Sequence, residues 1–185
     1  DAAAIVDSTD NAIILKNRDG LIEKWNQGAE RVYGYTVSEA LGQPIEMLVP
    51  HDRVYELNAN AEKIQRGEKI DHFETIRLTK QGRRIHVSST ISPLRDSDGN
   101  ITHFIDVQND ITRRVQAQKE ISRERAFLDT IVNGVPDALF FVDLDRNLTH
   151  CNQKMYRMFG YAPGELIGQP TAILYANPKD YQSQG

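Results

Sequence analysis

The sequence predicts an α+β fold: a five-stranded antiparallel sheet with short helices on one face, then a connecting helix, then the first half of a second domain of the same kind. Three observations predict it. Two short apolar runs come first, several small helices follow, and three alternating strands close the pattern. The stretch NQGAERVYGYTVSEALGQP at residues 26–44 returns at residues 152–170 as NQKMYRMFGYAPGELIGQP. Between the two copies lies a stretch without helix breakers, rich in Gln, Lys, Glu and Arg.

Residues 12–16 and 21–25 flank Asn17-Arg18-Asp19-Gly20, whose Asp-Gly pair signals a tight hairpin turn. Asn26 has the side chain to cap a short helix reaching Tyr33, and Gly34 suits the left-handed residue that ends it. Thr36-Val37-Ser38-Glu39 has capping-box spacing, so a second short helix opens there and stops at Gly42. Residues 44–49 predict one more turn. Residues 52–66 are the longest helix of this region, because Val54, Leu57, Ala61 and Ile64 recur on one face and Gly67 supplies a stop.

Three strands follow. Residues 70–79 lead into a turn at Lys80-Gln81-Gly82. Residues 84–94 alternate, with Ile85, Val87, Ser89 and Ile91 on one face and His86, Ser88, Thr90 and Ser92 on the other. Asp96-Ser97-Asp98-Gly99-Asn100 is the next turn, and residues 101–107 alternate again. From Thr112 to about Asn133 nothing breaks a helix. Ile121, Leu128 and Val132 stand seven and then four residues apart, a coiled-coil seam interrupted by Gln118 and Arg125. Such a helix pairs with its twin in a homodimer or serves as a solvated spacer, and the sequence leaves both readings open.

The repeat sets the domain organisation. At an offset of 126 without a gap, Asn26 matches Asn152, Arg31 matches Arg157, and Gly34-Tyr35 matches Gly160-Tyr161. Glu39 matches Glu165, and Gly42-Gln43-Pro44 matches Gly168-Gln169-Pro170. That offset is too long for a solenoid, whose units run about 20 to 50 residues, and suits a domain plus a linker. The expected parts are residues 1–112, a complete domain; 113–134, a connecting helix; and 135–185, the first half of a second domain. Half a sheet leaves an open edge and an unfinished core. The second part is therefore expected to be completed by further sequence or by a neighbouring chain.

The chain has 185 residues, 39% hydrophobic and 26% charged, the balance of a soluble globular protein. Its net charge of −4 gives no electrostatic footprint for nucleic acid or an anionic membrane. The longest apolar runs fall far short of the roughly 20 residues of a membrane span, so no membrane insertion is expected of this segment. The first residues lack the charged-then-apolar pattern of a secretion signal. One cysteine, Cys151, excludes an internal disulfide and fits a reducing, cytoplasmic setting, even for a parent protein anchored elsewhere.

No catalytic constellation is visible, and the chain reads as a non-enzyme. Both glycine-rich phosphate loops are absent, and no serine stands in a G-x-S-x-G elbow. Asp96, Asp98 and Asn100 imitate the start of a calcium loop, but its glycine comes fourth instead of sixth and Val107 holds the twelfth place, which requires glutamate. His51, His72, His86, His103 and His150 include no i, i+4 pair, so no metal site is predicted.

Asp19-Gly20, Trp25-Asn26, Glu30, Gly34-Tyr35, Glu39-Ala40-Leu41-Gly42 and Leu48-Val49-Pro50 form one set of signatures. Lys80-Gln81-Gly82, Pro93-Leu94, Asp98-Gly99 and Asp110-Ile111-Thr112 form a second. Together they resemble the PAS sensory domain with its C-terminal PAC segment. The resemblance covers residues 1 to about 112 completely and about 135 to 185 as a first half. The second copy departs from the pattern where Arg146 replaces Gly20 and Ala162-Pro163 replaces the Thr36 cap.

The resemblance implies a sensory module that takes a small ligand or a partner and relays a conformational signal through the connecting helix. The output would be a covalently linked histidine kinase, diguanylate cyclase or chemoreceptor domain. Candidate pocket residues are Trp25, Met47, Leu48, Leu57, Ile64, Ile76, Leu78, Ser89 and Ile91, any of which could equally fill an ordinary core. The family places signal relay where Asp110, Ile111 and Thr112 join the last strand to the helix; Thr112 also reads as a plain helix cap.

Two rival readings stand beside the sensor. One is a ligand-free dimerisation module using residues 2–6 and the helix positions Ile121, Leu128 and Val132. The other is a flavin- or haem-based redox or gas sensor. Haem-binding members ligate iron from the long helix, and residues 52–66 contain no histidine. The photoactive flavin branch uses an early-helix cysteine, which the first copy lacks, whereas a flavin held without a covalent bond needs no single diagnostic residue.

Overall fold

The structure is a computed structural model that describes residues 9–175. The expected contact segment at residues 2–6 lies outside the described residues. The chain divides into two compact units, Asp1–Ala117 and Gln118–Gly185.

In the first unit, β1 (Ala12–Asn17) and β2 (Ile22–Trp25) form an antiparallel hairpin. Asn17 Oδ1 accepts from the N–H groups of Asp19 and Leu21, both at 3.0 Å, and Gly20 takes the left-handed φ of 81° that the turn requires. Asn26 caps α1 (Gln27–Tyr33) by accepting from Ala29 N at 2.9 Å. The same oxygen accepts from Ile13 N at 2.8 Å, so the cap also pins β1. Gly34 ends the helix in the left-handed region, and Thr36 with Glu39 completes the capping box of α2 (Val37–Ala40).

The expected helical turn at residues 44–49 is a 3-10 turn, Ile45–Leu48. The expected helix at residues 52–66 is shorter: a 3-10 turn, His51–Arg53, precedes α3 (Val54–Gln65). No side chain caps either turn, and each closes with a tight bond to a preceding proline, Met47 N to Pro44 O and Arg53 N to Pro50 O.

β3 (Ile70–Leu78), β4 (Arg84–Arg95) and β5 (Ile101–Asp110) complete the antiparallel sheet, in the order β2-β1-β5-β4-β3. The fifth strand is thus central and pairs along the first, from Ala12 against Gln108 to Asn17 against His103. The main core joins Ile14, Ile22, Trp25, Tyr33, Leu48 and Val87. A second cluster joins Ile64 on α3 to Ile70, Ile91 and Phe104 on the sheet.

One strand breaks the plain alternation. Ile70 pairs with Ile91 but Phe73 pairs with Ser89, so Asp71 and His72 together oppose Thr90. His72 takes a φ of 47°, rare for a side chain without local need. This β-bulge shifts the phase of everything after it. Thr75 and Arg77 turn inward beside Val87 and Ile85, while Ile76 and Leu78 lie on the opposite face beside His86 and Arg84.

α4 (Thr112–Gly134) is one continuous helix of 23 residues, with no buried side chain. Ile121 and Leu128 are 48% and 52% exposed. Val132 is half-buried, however, and its carbonyl accepts from Asn152 Nδ2 at 3.1 Å, while Ile131 is exposed in its place.

In the second unit, β6 (Phe140–Val142) pairs with β7 (Leu148–Cys151), and α5 (Gln153–Phe159) follows. The devices of the first copy recur. Asn152 accepts from Met155 N and from Leu139 N, both at 2.9 Å, and Gly160 ends the helix at a φ of 76°. Arg146 adopts a φ of 63° where Gly20 stands in the first copy. Ala162 cannot cap, yet Glu165 still accepts its N–H at 2.6 Å, so half of the capping box survives. A small core of Leu148, Met155, Tyr156 and Leu166 is covered, whereas Phe140, Phe141 and Val142 are all exposed.

Candidate functional site

A cavity of about 850 Å³ lies in the first unit between α3, the turn after β1 and the inward face of the sheet. One wall is apolar, built by Leu57, Ala61 and Ile64 of α3 with Ile91 and Phe104 of the sheet. Lys16, Arg77, Asp106 and Gln108 are its buried polar lining, and the exposed Arg18, Asp19 and Glu46 stand at its rim. Each interior polar residue comes from an inward position of a different strand or of the central one. Lys16 follows Ala12 and Ile14 on β1, Arg77 follows the bulge on β3, and Asp106 and Gln108 follow Phe104 on β5.

These groups form two hydrogen-bonded sets. Glu56 of α3 is buried, and its Oε2 accepts from Thr75 Oγ1 at 2.5 Å and from Arg77 Nη1 at 3.3 Å. Its Oε1 accepts from Arg53 Nη1 at 2.8 Å. Burial alone would raise the Glu56 carboxyl, but the bonds from Thr75, Arg53 and Arg77 outweigh it and hold the group below the ordinary carboxylate value. In the second set, Asp106 accepts from Ser89 Oγ at 2.7 Å and from Gln108 Nε2 at 2.8 Å. Tyr33 OH donates to Gln108 Oε1, and burial first, then Asp106, pushes the phenol upward. Lys16 joins neither set. Burial lowers its ammonium, Asp106 acts against that shift, and Arg77 adds to it.

The sequence-based pocket candidates divide. Leu57, Ile64 and Ile91 line the cavity. Trp25 and Leu48 lie in the adjoining core, where Trp25 Nε1 donates to Tyr35 O at 3.0 Å, and Met47 packs against that core half-buried. Ser89 is buried and acts through Asp106. Ile76 and Leu78 are corrections: plain alternation from Ile70 aims them inward, and the bulge turns them to the other face. Sequence reasoning missed Lys16, Arg77, Asp106, Gln108 and Glu56. A signal existed for Lys16 and Asp106, which share the phase of Ile14 and Phe104 on their strands; Arg77 required knowledge of the bulge.

The junction residues are knitted to the sheet. Asp110 Oδ1 accepts from Thr112 N at 2.9 Å, and Ile111 is buried with its N–H bonded to His86 O at 2.9 Å. Thr112 Oγ1 accepts from His86 N at 2.9 Å, so the hydroxyl expected to cap the helix ties its start to β4 instead, and Asp110 takes the Thr112 amide. Arg114 of α4 reaches Glu74 of β3 at 2.5 Å.

Haem iron takes His, Cys, Met or Tyr ligands, and none of these lines the cavity among the described residues. The residues present therefore do not fit an iron-ligated haem. Nor is there a cysteine there for a flavin adduct; Cys151 belongs to the second unit. Among the described residues, no group of three or more His, Cys, Asp or Glu is placed to hold a metal ion, and no helix is long and apolar enough to cross a membrane.

The family model for the PAS fold matches residues 1–111 and 126–184. The chain belongs to the PAS fold family, whose members here are parts of signalling sensors. It is 29% identical over 154 residues to the biofilm dispersion protein BdlA of Pseudomonas aeruginosa, covering 80% of this chain and 34% of that protein. It is 25% identical over 169 residues to the oxygen sensor protein DosP of Escherichia coli, covering 87% and 20%. The signal transduction histidine-protein kinase AtoS of Escherichia coli is 26% identical over 133 residues, covering 71% and 21%. The chain thus spans about a third of the length of the first of these relatives and about a fifth of the other two. Among solved structures, a PAS domain from Colwellia psychrerythraea superposes with a TM-score of 0.56 at 26% identity, covering 60% of this chain and 95% of that one. An RNA-binding light-oxygen-voltage receptor shares the fold with a TM-score of 0.60 at 22% identity, covering 68% and 36%.

Proposed function

We propose that the first unit is a ligand sensor: a small molecule in the cavity shifts β5, and Asp110, Ile111 and Thr112 pass that shift to α4 and onward to an output domain of a longer protein. The observation that carries this reading is the course of the fifth strand. Phe104, Asp106 and Gln108 face the cavity, and Asp110, at the end of the same strand, holds the amide of Thr112. A relay needs two states whose balance the ligand changes. The junction supplies a small set of side-chain bonds, to His86 and Glu74, that can be kept or exchanged for water. The module itself is non-catalytic. The likeness to a curated histidine kinase supports an output of that kind. The second unit, with its exposed β6, is read as the N-terminal half of a second PAS domain.

The test is native mass spectrometry of the purified chain to identify a retained small molecule, followed by hydrogen exchange with and without it. Amides at residues 111–117 should change their exchange rate on binding. Binding without any change there would remove the relay.

The exposed apolar residues of α4 favour a second reading, a homodimer paired through that helix. Ile121, Phe127, Leu128 and Ile131 present large side chains to solvent. Sedimentation of Leu128→Glu tests it: loss of a dimer seen in the parent chain supports the seam, and an unchanged assembly removes it.

A further inference from the structure

We propose that the cavity of the first unit binds a small organic monocarboxylate, with its acid group on Lys16 beside Arg77 and its apolar body against α3 and Phe104. This names the ligand class for the sensor reading above and rests on it.

The first observation is Lys16 itself. It is 8% exposed and lines the cavity, yet its ammonium makes no hydrogen bond or ion pair among the described residues. A buried ammonium without a counter-ion is unfavourable, whereas the buried Arg77 has Glu56. Asp106 lies near enough to influence Lys16, but beyond ion-pair distance, and each of its oxygens is already held, by Ser89 and by Gln108.

The second observation is Arg77. Its three bonds, to Glu56, Thr75 and Ile76 O, all leave from Nη1. Nε and Nη2 keep their donors, and a guanidinium edge is matched to a carboxylate. Among the buried and half-buried charges of the cavity and of the network behind it, Lys16, Arg53 and Arg77 face Glu56 and Asp106. One added negative charge balances the set. A doubly charged phosphate exceeds it, and would also meet Asp19 and Glu46 at the rim, where Arg18 offsets one of the two.

The third observation is the remaining wall. Leu57, Ala61, Ile64, Ile91 and Phe104 offer apolar surface to whatever hangs from the acid. An acid head and a hydrocarbon or aromatic body fit that division of the cavity.

The test uses the 185-residue chain with hexanoate, octanoate, benzoate and phenylacetate, each against its primary amide, and inorganic phosphate as a separate arm. Calorimetry and thermal unfolding read out binding. At least one acid should bind about tenfold or more tightly than its amide, the size expected of a charge-assisted bond. Lys16→Met should bring acid and amide together, and Lys16→Arg should keep the preference; the melting curve of each variant reports its folding. Acid and amide binding alike would overturn the carboxylate while leaving a ligand sensor standing. Phosphate protecting as well as the best acid would overturn the monocarboxylate in favour of a general anion site. No binding of any probe would also overturn the proposal, whereas the sensor reading stands or falls on the retained molecule and the exchange at residues 111–117.

Discussion

Arg77 and Glu56 meet at 3.3 Å between β3 and α3, and only 7% and 6% of their side chains are exposed. The bulge delivers the arginine inward, and the helix meets it with a carboxylate that Thr75 and Arg53 also hold.

Glu56→Gln leaves Arg77 buried without its charge partner and should lower stability by about 3 kcal/mol at neutral pH. The folded carboxyl is held below its ordinary value of 4.5. Its stabilisation is therefore fully present above that value and disappears as the pH falls through the lower folded value. Urea unfolding at neutral pH and near pH 3 should show a large gap between variant and parent that closes in acid. A gap of equal size at both pH values would mean the charge is not the cause.

Lys16→Met should make the ligand-free chain more stable, by about 1 kcal/mol or more at neutral pH, because it removes a buried charge that has no ion pair. Burial lowers the folded ammonium from its ordinary 10.5, so the handicap is full below the folded value and fades as the pH rises from there towards 10.5. Thermal melts at neutral and alkaline pH check both the sign and the narrowing. A variant less stable than the parent at neutral pH counts against an unpartnered lysine.

Asn26→Ala should cost about 2 kcal/mol, since one side chain both caps α1 and pins β1. Asn152→Ala should do the same to the second unit, where Met155 and Leu139 lose their acceptor. Unfolding followed by hydrogen exchange separates the two units. A loss spread equally over both units from either single change would contradict the local role.

Thr112→Ala should speed exchange at His86 and at the first turn of α4, by about 1 kcal/mol of local stability. Thr112→Ser keeps the hydroxyl and should restore protection. Failure of the serine variant to do so would shift the credit from the hydroxyl bond to the methyl group.

Much of the fold was legible because its devices are local. Asn26, Gly34, Thr36 and Glu39 act within a few residues of one another, so their spacing alone announces the cap, the stop and the box. The repeat was legible for the same reason: Gly42 and Gln43 bond back to Ile22 as Gly168 and Gln169 bond back to Leu148. The cavity was less legible, because its chemistry depends on which strands are neighbours. Lys16 stands beside Phe104 through strand pairing across the sheet, and Arg77 faces inward through a two-against-one pairing that no glycine advertises. A lysine after Ile14 reads as the polar end of a strand until the partner strand is known. Leu57, Ile64 and Ile91 line the cavity at positions that helix and strand periods give without reference to partners.

The pairing of Asp71 and His72 against Thr90 gives the third strand one residue more than its partner at that point. A chain shortened by one codon within the bulge keeps Ile70 opposite Ile91 and Phe73 opposite Ser89, so the bulge closes and Thr75 and Arg77 still point inward. A codon lost just after it, at Glu74, acts differently. With Phe73 held in place, the rest of the strand slides by one against β4, Ile76 and Leu78 point inward and Thr75 and Arg77 point out. A single deletion, with no substitution at all, would then exchange a charged lining for an oily one. Length variation in one strand is thus a short evolutionary route between sensors of different chemistry on an otherwise unchanged scaffold.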